Sequence, residues 1–568
     1  MSLQAAREYL SSPHLDVEPR AELEGLLKAA DSGDAKAQAE LDDRFSEPLA
    51  FGTGGLRGLM GAGLRRMNEV NVRRVTMALA AVTKRHVPKK RIALVGYDTR
   101  INSDKYAREA ARVFLDAGFE VYMGLRPLPT PFLCFAMREV GAACGVILTA
   151  SHNPKEYNGY KAYDDRGAQV VTPWDAEIEA VMAKLPMVPE PPKASEHGFI
   201  SIPSEIETRY LDLALSLRRR PQPFTPAKLL YTPFHGTGGA FVPTFFKLSG
   251  LPLSAAKAQS VQDGTFPTAP RPNPEELAAY RVTLEEADAM GADAVLANDP
   301  DADRIGVVAK RGGKGAWELM SGNDLAALTL DFLCTNGGLK GVVVSTVVTS
   351  DFLAEVAKAH SLQVMWTLTG FKNIASCMDR LEQVGERYAF GAEESFGMLL
   401  SDRLRDKDGV ATAPVVGEMI GHYKAMGLGP FEAVEALQKR VGRFLNRLVN
   451  LEDPRPGGAQ RFAEAMGRIR TAGLSSLGGE KVVAWEDFET GQYHAGSLTE
   501  AILDRPDRRD VAQEIPRSNV LKFRLESGAF AAFRPSGTEP KLKVYLQSRT
   551  DEALLDRLEA EARSLLGL

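Results

Sequence analysis

Short apolar runs alternate with longer amphipathic stretches along most of the chain. Between residues 91 and 150, the runs RIALVGYD, EVYMG and GVILTA are separated by the amphipathic stretches SDKYAREAARVFLDAG and TPFLCFAMREVGA. Strands that alternate with helices are typical of a parallel sheet covered by helices on both faces. The pattern restarts at residues 227–239 and again at residues 340–350. We therefore interpret the chain as three copies of one α/β unit.

The two ends of the chain depart from this pattern. Residues 19–45 have the Ala, Leu, Glu and Lys composition of one or two surface helices, and the glycine-rich segment at residues 51–58 indicates a loop. From about residue 450, the segment LEDPRPGGAQ indicates a linker, and the mixed strands and final helix behind it are typical of a smaller α+β domain. A helix is expected at residues 203–220. We predict four domains, which cover residues 1–206, 207–321, 322–449 and 450–568.

Composition narrows the class of protein. The chain has 568 residues, of which 44% are hydrophobic and 25% are charged, as in soluble globular proteins, and its net charge of −5 argues against a nucleic-acid partner. No segment reaches the roughly 20 apolar residues that a membrane span needs. The cysteines form no CxxC pair, which favours free thiols in a reducing compartment. We expect a cytoplasmic protein without membrane or nucleic-acid partners. The cysteines are Cys134, Cys144, Cys334 and Cys377.

Polar residues follow one strand in each of the three α/β units, at a point where a buried strand should continue with apolar residues. Ligands of open α/β sheets bind outside the carboxyl ends of the strands. We therefore expect the three polar segments to form one composite site. They are Ser151 after GVILTA, Asp299, Asp301 and Asp303 after AVLAN, and Glu393, Glu394 and Ser395 after RYAFGA.

The three aspartates indicate a cation site. Carboxylates at alternate positions of a tight turn repel one another unless a cation binds them, and oxygen ligands suit Mg²⁺ or Ca²⁺. An EF-hand calcium loop needs Gly at its sixth position and Glu at its twelfth, which here are Arg304 and Lys310. The EF-hand is therefore excluded, and a Mg²⁺ ion that meets a phosphoryl group is favoured over a solvated acidic turn.

Ser151 lies outside any serine-hydrolase pattern, since Thr149 and Asn153 replace the glycines of G-x-S-x-G. Taken alone, a serine before Asn-Pro is more often a helix cap or a turn residue. Beside a metal loop, a phosphorylated serine becomes the better interpretation, because a phosphoserine could complete the coordination of the metal. We expect His152 to position this serine rather than to act as its base.

A second anion site is indicated near the C-terminus, in the segment FRPSGTEPKLK. It combines two cations, two hydroxyl groups and a glycine that exposes its backbone N–H, although a hairpin turn with solvated charges is the alternative. Neither a Walker A motif nor G-x-G-x-x-G occurs, so nucleotide cofactors are not supported. The residues of this site are Arg534, Ser536, Gly537, Thr538 and Lys541.

The segments TASHNP, DPDADR, GAEESFG and RPSGTEPKLK, in this order, resemble the motifs of the α-D-phosphohexomutase superfamily, the phosphoglucomutases and phosphomannomutases. The likeness covers nearly the whole chain, and the leader of roughly 50 residues is most similar to the phosphoglucomutase-2 and phosphopentomutase branch. With this resemblance, we expect an α/β fold of three similar mixed-sheet α/β/α domains and a smaller C-terminal α+β domain around a central cleft.

The resemblance also implies roles for individual residues. Ser151 would be the phosphoserine and would bind Mg²⁺ together with the three aspartates. Lys161 would be the general acid/base, with a pKa that Mg²⁺ and neighbouring arginines lower toward neutrality. Lys407 would be a second active-site lysine, and Arg57 would lie near the phosphoserine.

Two further groups of residues would bind the substrate. The residues that would contact the sugar or its transferring end are Arg304, Thr369, Gly370, Lys372, Glu393 and Ser395. The residues that would bind the non-reacting phosphate are Arg534, Ser536, Gly537, Thr538 and Lys541.

The implied function is a phosphoglucomutase, with Mg²⁺ as cofactor and glucose 1,6-bisphosphate as intermediate and activator. Mannose and pentose phosphates are alternative substrates, and a sugar-bisphosphate synthase is a close alternative. A metal-dependent phosphatase or phosphodiesterase and a non-catalytic sugar-phosphate sensor are more distant ones. The expected partners are small sugar phosphates, in a monomer or a small homo-oligomer.

Overall fold

The computed structural model describes residues 2–52, 54–453, 455, 457–496, 498–502, 515–536 and 541–567. Within these residues, the chain divides into two compact units. One consists of Met1–Leu319 and Ser401–Met426, and the other of Met320–Leu400 and Gly427–Leu568. We call them the first unit and the second unit. No helix of the described residues is long and apolar enough to cross a membrane.

The first unit begins with three helices rather than the one or two predicted. They are α1 (Ser2–Ser11), α2 (Val17–Asp31) and α3 (Ala35–Phe45). Asp34 starts α3 by accepting a hydrogen bond from the backbone N–H of Lys36 at 2.8 Å. The three helices pack around a small apolar core that includes Leu23, Leu41 and Phe45.

The first α/β domain follows. Its elements are β1 (Gly55–Leu59), α4 (Glu69–His86), β2 (Ile92–Tyr97), α5 (Ser103–Asp116), β3 (Glu120–Met123), α6 (Thr130–Glu139), β4 (Cys144–Leu148), β5 (Tyr157–Tyr163), α7 (Trp174–Met182), β6 (Ile200–Ser201) and the connecting helix α8 (Ser204–Ser216). The sheet order is β1-β5-β4-β2-β3-β6. The four strands β2, β3, β4 and β6 are parallel, whereas β1 and β5 are antiparallel to their neighbours, so the sheet is mixed.

The glycine-rich segment at residues 51–58 contains most of β1, so the prediction of a loop there is wrong for its second half. Gly55 pairs with Lys161 on β5. A Cβ atom at Gly55 would lie 1.9 Å from the carbonyl oxygen of Tyr160. Glycine therefore permits the close approach of two backbones here rather than a turn.

The second α/β domain repeats the plan in a smaller sheet. Its elements are β7 (Leu229–Thr232), α9 (Val242–Ser249), β8 (Ser254–Ala255), α10 (Arg281–Met290), β9 (Ala294–Ala297), β10 (Gly306–Lys310) and β11 (Trp317–Leu319). The order is β11-β10-β9-β7-β8, with β7 parallel to β8 and β9 and with β10 antiparallel to β9 and β11.

The third α/β domain lies in the second unit. Its elements are α11 (Gly322–Gly337), β12 (Val342–Thr346), α12 (Asp351–Ala359), β13 (Gln363–Thr367), α13 (Phe371–Gln383), β14 (Tyr388–Ala392) and β15 (Met398–Leu399). The order β13-β12-β14-β15 has three parallel strands and the antiparallel edge strand β15. The next helix, α14 (Gly409–Ala425), belongs to the first unit, where it packs on α8 and α9. The chain then returns to the second unit with α15 (Pro430–Val441).

The C-terminal domain is an antiparallel sheet with helices α16 and α17. Its elements are β16 (Leu445–Glu452), α16 (Gly458–Ala472), β17 (Ser476–Leu477), β18 (Glu480–Asp487), β19 (Gln492–Ala495), β20 (Leu498–Ala501), β21 (Leu521–Leu525), β22 (Phe530–Pro535), β23 (Lys541–Ser548) and α17 (Glu552–Leu566). The predicted linker begins as strand, since Leu451 and Glu452 end β16 and pair with β23.

Candidate active site

Ser151 lies three residues after β4, at the carboxyl end of that strand. Its side chain is buried, and its Oγ donates a hydrogen bond to Oδ2 of Asp299 at 2.7 Å. The backbone of Ser151 is left-handed, with φ of 51°, and its N–H donates to Oγ1 of Thr149 at 2.9 Å. Two residues expected to share one site are thus in direct contact.

The three aspartates lie between β9 and β10, in the turn that reverses the chain. Asp299, Asp301 and Asp303 are buried, and one oxygen of each lies within 4.8 Å of those of the others. Burial raises the pKa of Asp299 well above its usual value, and the charges of Asp303 and Asp301 raise it further. Burial also acts upward on the pKa values of Asp301 and Asp303, but neighbouring lysines bring both below the usual range.

The turn that contains Asp299, Asp301 and Asp303, which we call the aspartate turn, has oxygens arranged so that they could bind a divalent cation. The Oδ1 atoms of Asp301 and Asp303 are buried and accept no hydrogen bond from the described residues. A buried carboxylate oxygen without a donor is costly unless a cation binds it. Oxygen ligands alone suit Mg²⁺, which leaves room in its octahedral shell for a phosphoryl oxygen. Ser151 adds a hydroxyl oxygen beside the same turn.

Two lysines converge on the aspartates. Nζ of Lys161, on β5, lies 2.7 Å from Oδ2 of Asp301 and 3.0 Å from Oδ2 of Asp303. Nζ of Lys407 lies 2.8 Å from the same oxygen of Asp303. Burial acts to lower the pKa of Lys161, but the charges of Asp301 and Asp303 outweigh it and raise the pKa. The lowering of the Lys161 pKa that Mg²⁺ and the neighbouring arginines would cause stays a prediction for the metal-bound site.

Lys407 lies near the aspartates because hydrogen bonds hold its loop against the first α/β domain. Oδ2 of Asp406 accepts hydrogen bonds from the hydroxyl group of Tyr163 at 3.0 Å and from Nε2 of Gln169 at 2.9 Å. In the same loop, the hydroxyl group of Tyr210 donates to Asp408 at 2.8 Å. No motif in the sequence pointed to these anchors, because each joins segments far apart in the chain.

Thr130 is another residue that the sequence did not indicate. Its Oγ1 donates to Oδ2 of Asp301 at 2.9 Å, and its N–H donates to the backbone oxygen of Asp301 at 2.9 Å. The threonine lies at the start of α6 in the first domain, whereas Asp301 belongs to the second. Thr130 therefore holds the aspartate turn against the domain that carries Ser151.

His152 and two arginines complete the surroundings of Ser151. Nδ1 of His152 lies 3.2 Å from Oγ of Ser151, consistent with the expected positioning role. Burial lowers the pKa of His152 well below its usual value, and Arg304 and Arg57 add to the effect. A neutral imidazole can accept the serine proton or donate to its oxygen.

The arginines have partners of their own. Nη1 of Arg57 donates to Oδ1 of Asn153 at 3.2 Å, in the loop that carries Ser151. Arg304 pairs with Glu275, and its Nε lies 4.0 Å from Oδ2 of Asp299. Arg57 thus contacts the loop that carries Ser151, and Arg304 lies near the carboxylate that accepts the Ser151 hydrogen bond.

The predicted sugar-binding residues lie together in the second unit. Glu393 follows β14 and accepts a hydrogen bond from the N–H of Gly370 at 2.6 Å. Gly370 has φ of 110°, a conformation that favours glycine. Thr369 directly precedes this glycine, Lys372 follows it by two residues, and Ser395 follows Glu393 by two residues. The two segments proposed for sugar recognition are therefore joined by a hydrogen bond.

The predicted phosphate-binding residues are only partly described. Arg534 lies next to the end of β22 and donates to the hydroxyl group of Tyr545 at 3.4 Å. Burial acts to lower the pKa of Arg534, but Tyr545, Glu394 and Glu393 raise it, so this arginine lies near the sugar-binding segment. The N–H of Ser536 donates to the backbone oxygen of Lys541 at 2.8 Å. Gly537 and Thr538 lie outside the described residues.

Comparisons with known proteins agree with these observations. Family models for phosphoglucomutase/phosphomannomutase match the chain in order, as α/β/α domain I at residues 48–187, domain II at 209–313, domain III at 321–437 and the C-terminal domain at 497–565. A phosphoglucomutase from Staphylococcus epidermidis is 31% identical over 93% of this chain and 95% of its own length. A human glucose 1,6-bisphosphate synthase is also 31% identical, over 93% of this chain and 88% of its own.

A solved structure supports the fold. The phosphoglucomutase pp63/parafusin from Paramecium has a TM-score of 0.65 and 18% identity, over 91% of this chain and 94% of that one. The four matched domains and the relatives that align along nearly the whole chain show that this protein belongs to the phosphoglucomutase/phosphomannomutase family, with three α/β/α domains and a C-terminal domain.

Proposed function

We propose that the protein is a phosphoglucomutase, which interconverts glucose 1-phosphate and glucose 6-phosphate. The contact between Ser151 and Asp299 carries this proposal, since a serine hydroxyl lies 2.7 Å from a cluster of three carboxylates that fits a cation. Serine beside a metal and cationic side chains is suited to storing and transferring a phosphoryl group. The Staphylococcus relative is named for this activity.

The proposed reaction moves one phosphoryl group twice. In the first half, the bond between phosphorus and Oγ of phospho-Ser151 breaks, and a bond from phosphorus to the free sugar hydroxyl forms. The sugar hydroxyl loses a proton and Oγ of Ser151 gains one. The product is glucose 1,6-bisphosphate, which reorients and returns its other phosphoryl group to Ser151. Transfer of this kind depends mainly on positioning and charge neutralisation.

The residues of this chain divide the work. Asp299, Asp301 and Asp303 would hold Mg²⁺ with Ser151, and the ion supplies Lewis-acid stabilisation of the transferring group when bound. Lys161 is proposed to carry the proton, with Lys407 beside it. Arg57, Arg304 and His152 would orient the phosphoryl group on the serine.

Recognition of the substrate is proposed for residues of the second unit. Glu393 and Ser395 would bind sugar hydroxyls, and Thr369, Gly370 and Lys372 would distinguish the two orientations of the bisphosphate. Arg534, Ser536, Gly537, Thr538 and Lys541 would hold the phosphate that does not react.

A sugar-bisphosphate synthase is the second candidate, favoured by the human relative of that name. It differs in its phosphoryl donor and would form glucose 1,6-bisphosphate as a released product. Mannose and pentose phosphates remain alternative substrates, because they differ from glucose phosphate by single hydroxyl or carbon contacts. The four buried free cysteines support a reducing compartment such as the cytoplasm.

The test is an activity panel with mass spectrometry of Ser151. Purified protein with Mg²⁺ is assayed on glucose 1-phosphate, mannose 1-phosphate and ribose 1-phosphate, with glucose 1,6-bisphosphate as activator. We expect the highest kcat/KM on glucose 1-phosphate and a phosphate on Ser151. Ser151→Ala should abolish turnover, whereas Ser46→Ala, at an exposed serine, should not. Phosphate release without isomerisation, or full activity of Ser151→Ala, would contradict the proposal.

A further inference from the structure

Arg100 binds the loop that carries Ser151, although no motif assigned it a role. It lies in the turn after β2, and its side chain is buried. Its guanidinium donates to four backbone oxygens of this loop. The acceptors are the backbone oxygens of Ser151 at 2.6 Å, Asn153 at 2.5 Å, Pro154 at 2.9 Å and Tyr157 at 3.1 Å. A single side chain thus spans residues 151–157, which we call the serine loop.

The same network holds the serine loop from its other side. Nε of Arg100 lies 3.3 Å from Oδ2 of Asp98, so the buried cation has a counter-charge. Oδ2 of Asp98 also accepts a hydrogen bond from Oγ1 of Thr149 at 2.6 Å. Thr149 in turn accepts the N–H of Ser151 at 2.9 Å. Both the N–H and the C=O of Ser151 are therefore tied to this pair of charged residues.

The backbone conformation of Ser151 explains why these hydrogen bonds matter. Its φ of 51° lies in the left-handed region, which a serine adopts only where its surroundings enforce it. In that conformation Oγ reaches Asp299 at 2.7 Å. A relaxed serine with negative φ would turn Oγ in another direction. The bonds to the N–H and C=O of Ser151 are the ones that resist this change.

Arg100 also fastens the serine loop to the domain that holds the aspartates. Its guanidinium lies over the ring of Phe266, 4.9 Å from the ring centre, and its backbone forms a bridge to Gly264. A Cβ atom at Gly264 would lie 2.4 Å from the backbone oxygen of Thr99, so the two segments are in close contact. The position of Ser151 relative to Asp299 therefore depends on contacts of Arg100 with both domains.

We infer that Arg100 is a positioning residue for phosphoryl transfer, which holds Oγ of Ser151 at the aspartate turn through the backbone of the serine loop. The inference rests on the proposed mutase function and adds a residue that does not touch the substrate. Lysine cannot replace arginine here, because one ammonium group cannot reach four oxygens that are spread across a planar guanidinium.

The kinetic test compares Arg100→Lys with a matched control, Arg20→Lys. Within the described residues, the side chain of Arg20 also donates to backbone oxygens, those of Leu10 in α1 and of Ser12 and Leu15 in the loop between α1 and α2. We expect Arg100→Lys to lower kcat on glucose 1-phosphate at least 100-fold, with KM within threefold of wild type. Arg20→Lys should keep kcat within twofold. Equal losses in the two variants, or a loss confined to KM, would overturn the inference.

A second measurement does not depend on activity. Amide hydrogen exchange of a peptide that covers residues 149–158 should become at least tenfold faster in Arg100→Lys and stay unchanged in Arg20→Lys. Unchanged exchange in Arg100→Lys would overturn the inference even if the mutase assay succeeds. If the wild-type protein lacks mutase activity, the proposed function fails, while the exchange experiment still tests the hold on the loop.

A milder variant covers the case in which Arg100→Lys does not fold. Phe266→Leu removes the ring under the guanidinium and leaves all four hydrogen bonds to the loop in place. We expect kcat to fall three- to tenfold, with faster exchange at residues 149–158 and unchanged KM. Wild-type kcat and exchange in this variant would count against the part of the inference that concerns the second domain.

Discussion

Asp303 is the residue at which the charges of the site meet. It is buried, it pairs with both Lys161 and Lys407 through Oδ2, and its Oδ1 accepts no hydrogen bond from the described residues. A buried ion pair stabilises a protein only when all its atoms have partners, and removing one member leaves the other uncompensated. Oδ1 of Asp303 lies 3.9 Å from Nε of Arg304 without a hydrogen bond, and this oxygen is better explained by metal binding than by stability.

Asp303→Asn should therefore weaken the metal site more than the fold. The amide removes one negative charge and presents at most one neutral oxygen, so we expect the apparent affinity for Mg²⁺ to fall at least tenfold. Titration of activity with Mg²⁺ and calorimetric binding both measure this change. Asp288→Asn is the control, since this exposed aspartate pairs with Lys310 on the surface. Unchanged Mg²⁺ affinity in Asp303→Asn would exclude this aspartate as a ligand.

Arg534→Ala should separate substrate binding from chemistry. This arginine is proposed to hold the phosphate that does not react, an interaction that the ground state and the transition state share. Loss of such an interaction raises KM with little change in kcat. We expect KM for glucose 1-phosphate to rise at least tenfold and kcat to fall less than fivefold. Arg563→Ala, at an exposed helix residue, is the control. A variant that loses mainly kcat would place Arg534 at the reacting group instead.

At the scale of single residues, the sequence revealed the groups that occur in motifs and missed those that act through space. Ser151 and the three aspartates each follow a recognisable strand, so their contact could be expected from sheet topology. Thr130, Tyr163, Asp406 and Arg100 act across 50 to 250 residues of chain, on the order of a whole domain. Only the folded backbone brings such residues together.

At the scale of elements, alternating patterns predicted the strands β2, β3 and β4 and the helix α8 well, because each has one clear period. The strands β1 and β16 were missed for different reasons. Gly55 and Gly58 give β1 the composition of a loop, although glycine serves there to let backbones approach. The end of β16 resembled a linker because the sequence Pro-Arg-Pro-Gly-Gly begins two residues after it.

Asp408 shows how one element end is fixed. Its Oδ1 caps helix α14 by accepting the N–H of Ala411 at 2.8 Å, and it accepts the hydroxyl group of Tyr210 as well. Burial nevertheless raises the pKa of Asp408 from 3.8 to about 6, since the carboxylate loses more hydration than these bonds and that of Val410 return. At neutral pH the ionised Asp408 carboxylate therefore lowers the stability of the folded protein, although it caps α14.

The pH dependence of stability should reveal that cost. Because the folded pKa is raised, stability falls as the pH rises from about 4 to about 6, where the unfolded carboxyl ionises before the folded one, and the full destabilisation persists above pH 6. Asp408→Asn cannot ionise. Relative to wild type, its free energy of unfolding should rise by about 2 kcal/mol between pH 4 and pH 7, whatever constant offset the amide adds. Denaturant titrations at both pH values measure the difference. A difference that does not change with pH would contradict the raised pKa.

At the scale of the whole chain, the order of domains along the sequence is not the order of contacts. The segment Ser401–Met426 follows β15 and lies within the residues matched as domain III, yet it belongs to the first unit, and it carries Lys407. Within the second unit, the third and C-terminal domains share an apolar core that includes Val347, Leu368 and Phe530. Sequence patterns reveal repeated units but not such exchanges, because tertiary packing decides them.

This division predicts how the protein responds to heat and metal. All three aspartates lie in the first unit, so a ligand that binds only the folded site should stabilise that unit by mass action. We expect calorimetry to resolve two transitions, of which Mg²⁺ raises only one, and that transition should lose its response in Asp303→Asn. At 100 times its Kd, Mg²⁺ should contribute about 2.7 kcal/mol.

The other transition can be assigned through Lys522. This buried lysine of the C-terminal domain donates to the backbone oxygen of Val347 in the third domain at 2.8 Å and lies 3.8 Å from the ring centre of Phe530. Lys522→Met removes that donor and leaves a buried oxygen unpaired, which costs roughly 1–3 kcal/mol. The variant should lower the midpoint of the transition that ignores Mg²⁺, with Lys340→Met, at an exposed lysine, as control. A metal response in both transitions, or a Lys522→Met effect on the metal-sensitive one, would show that the two units do not unfold separately.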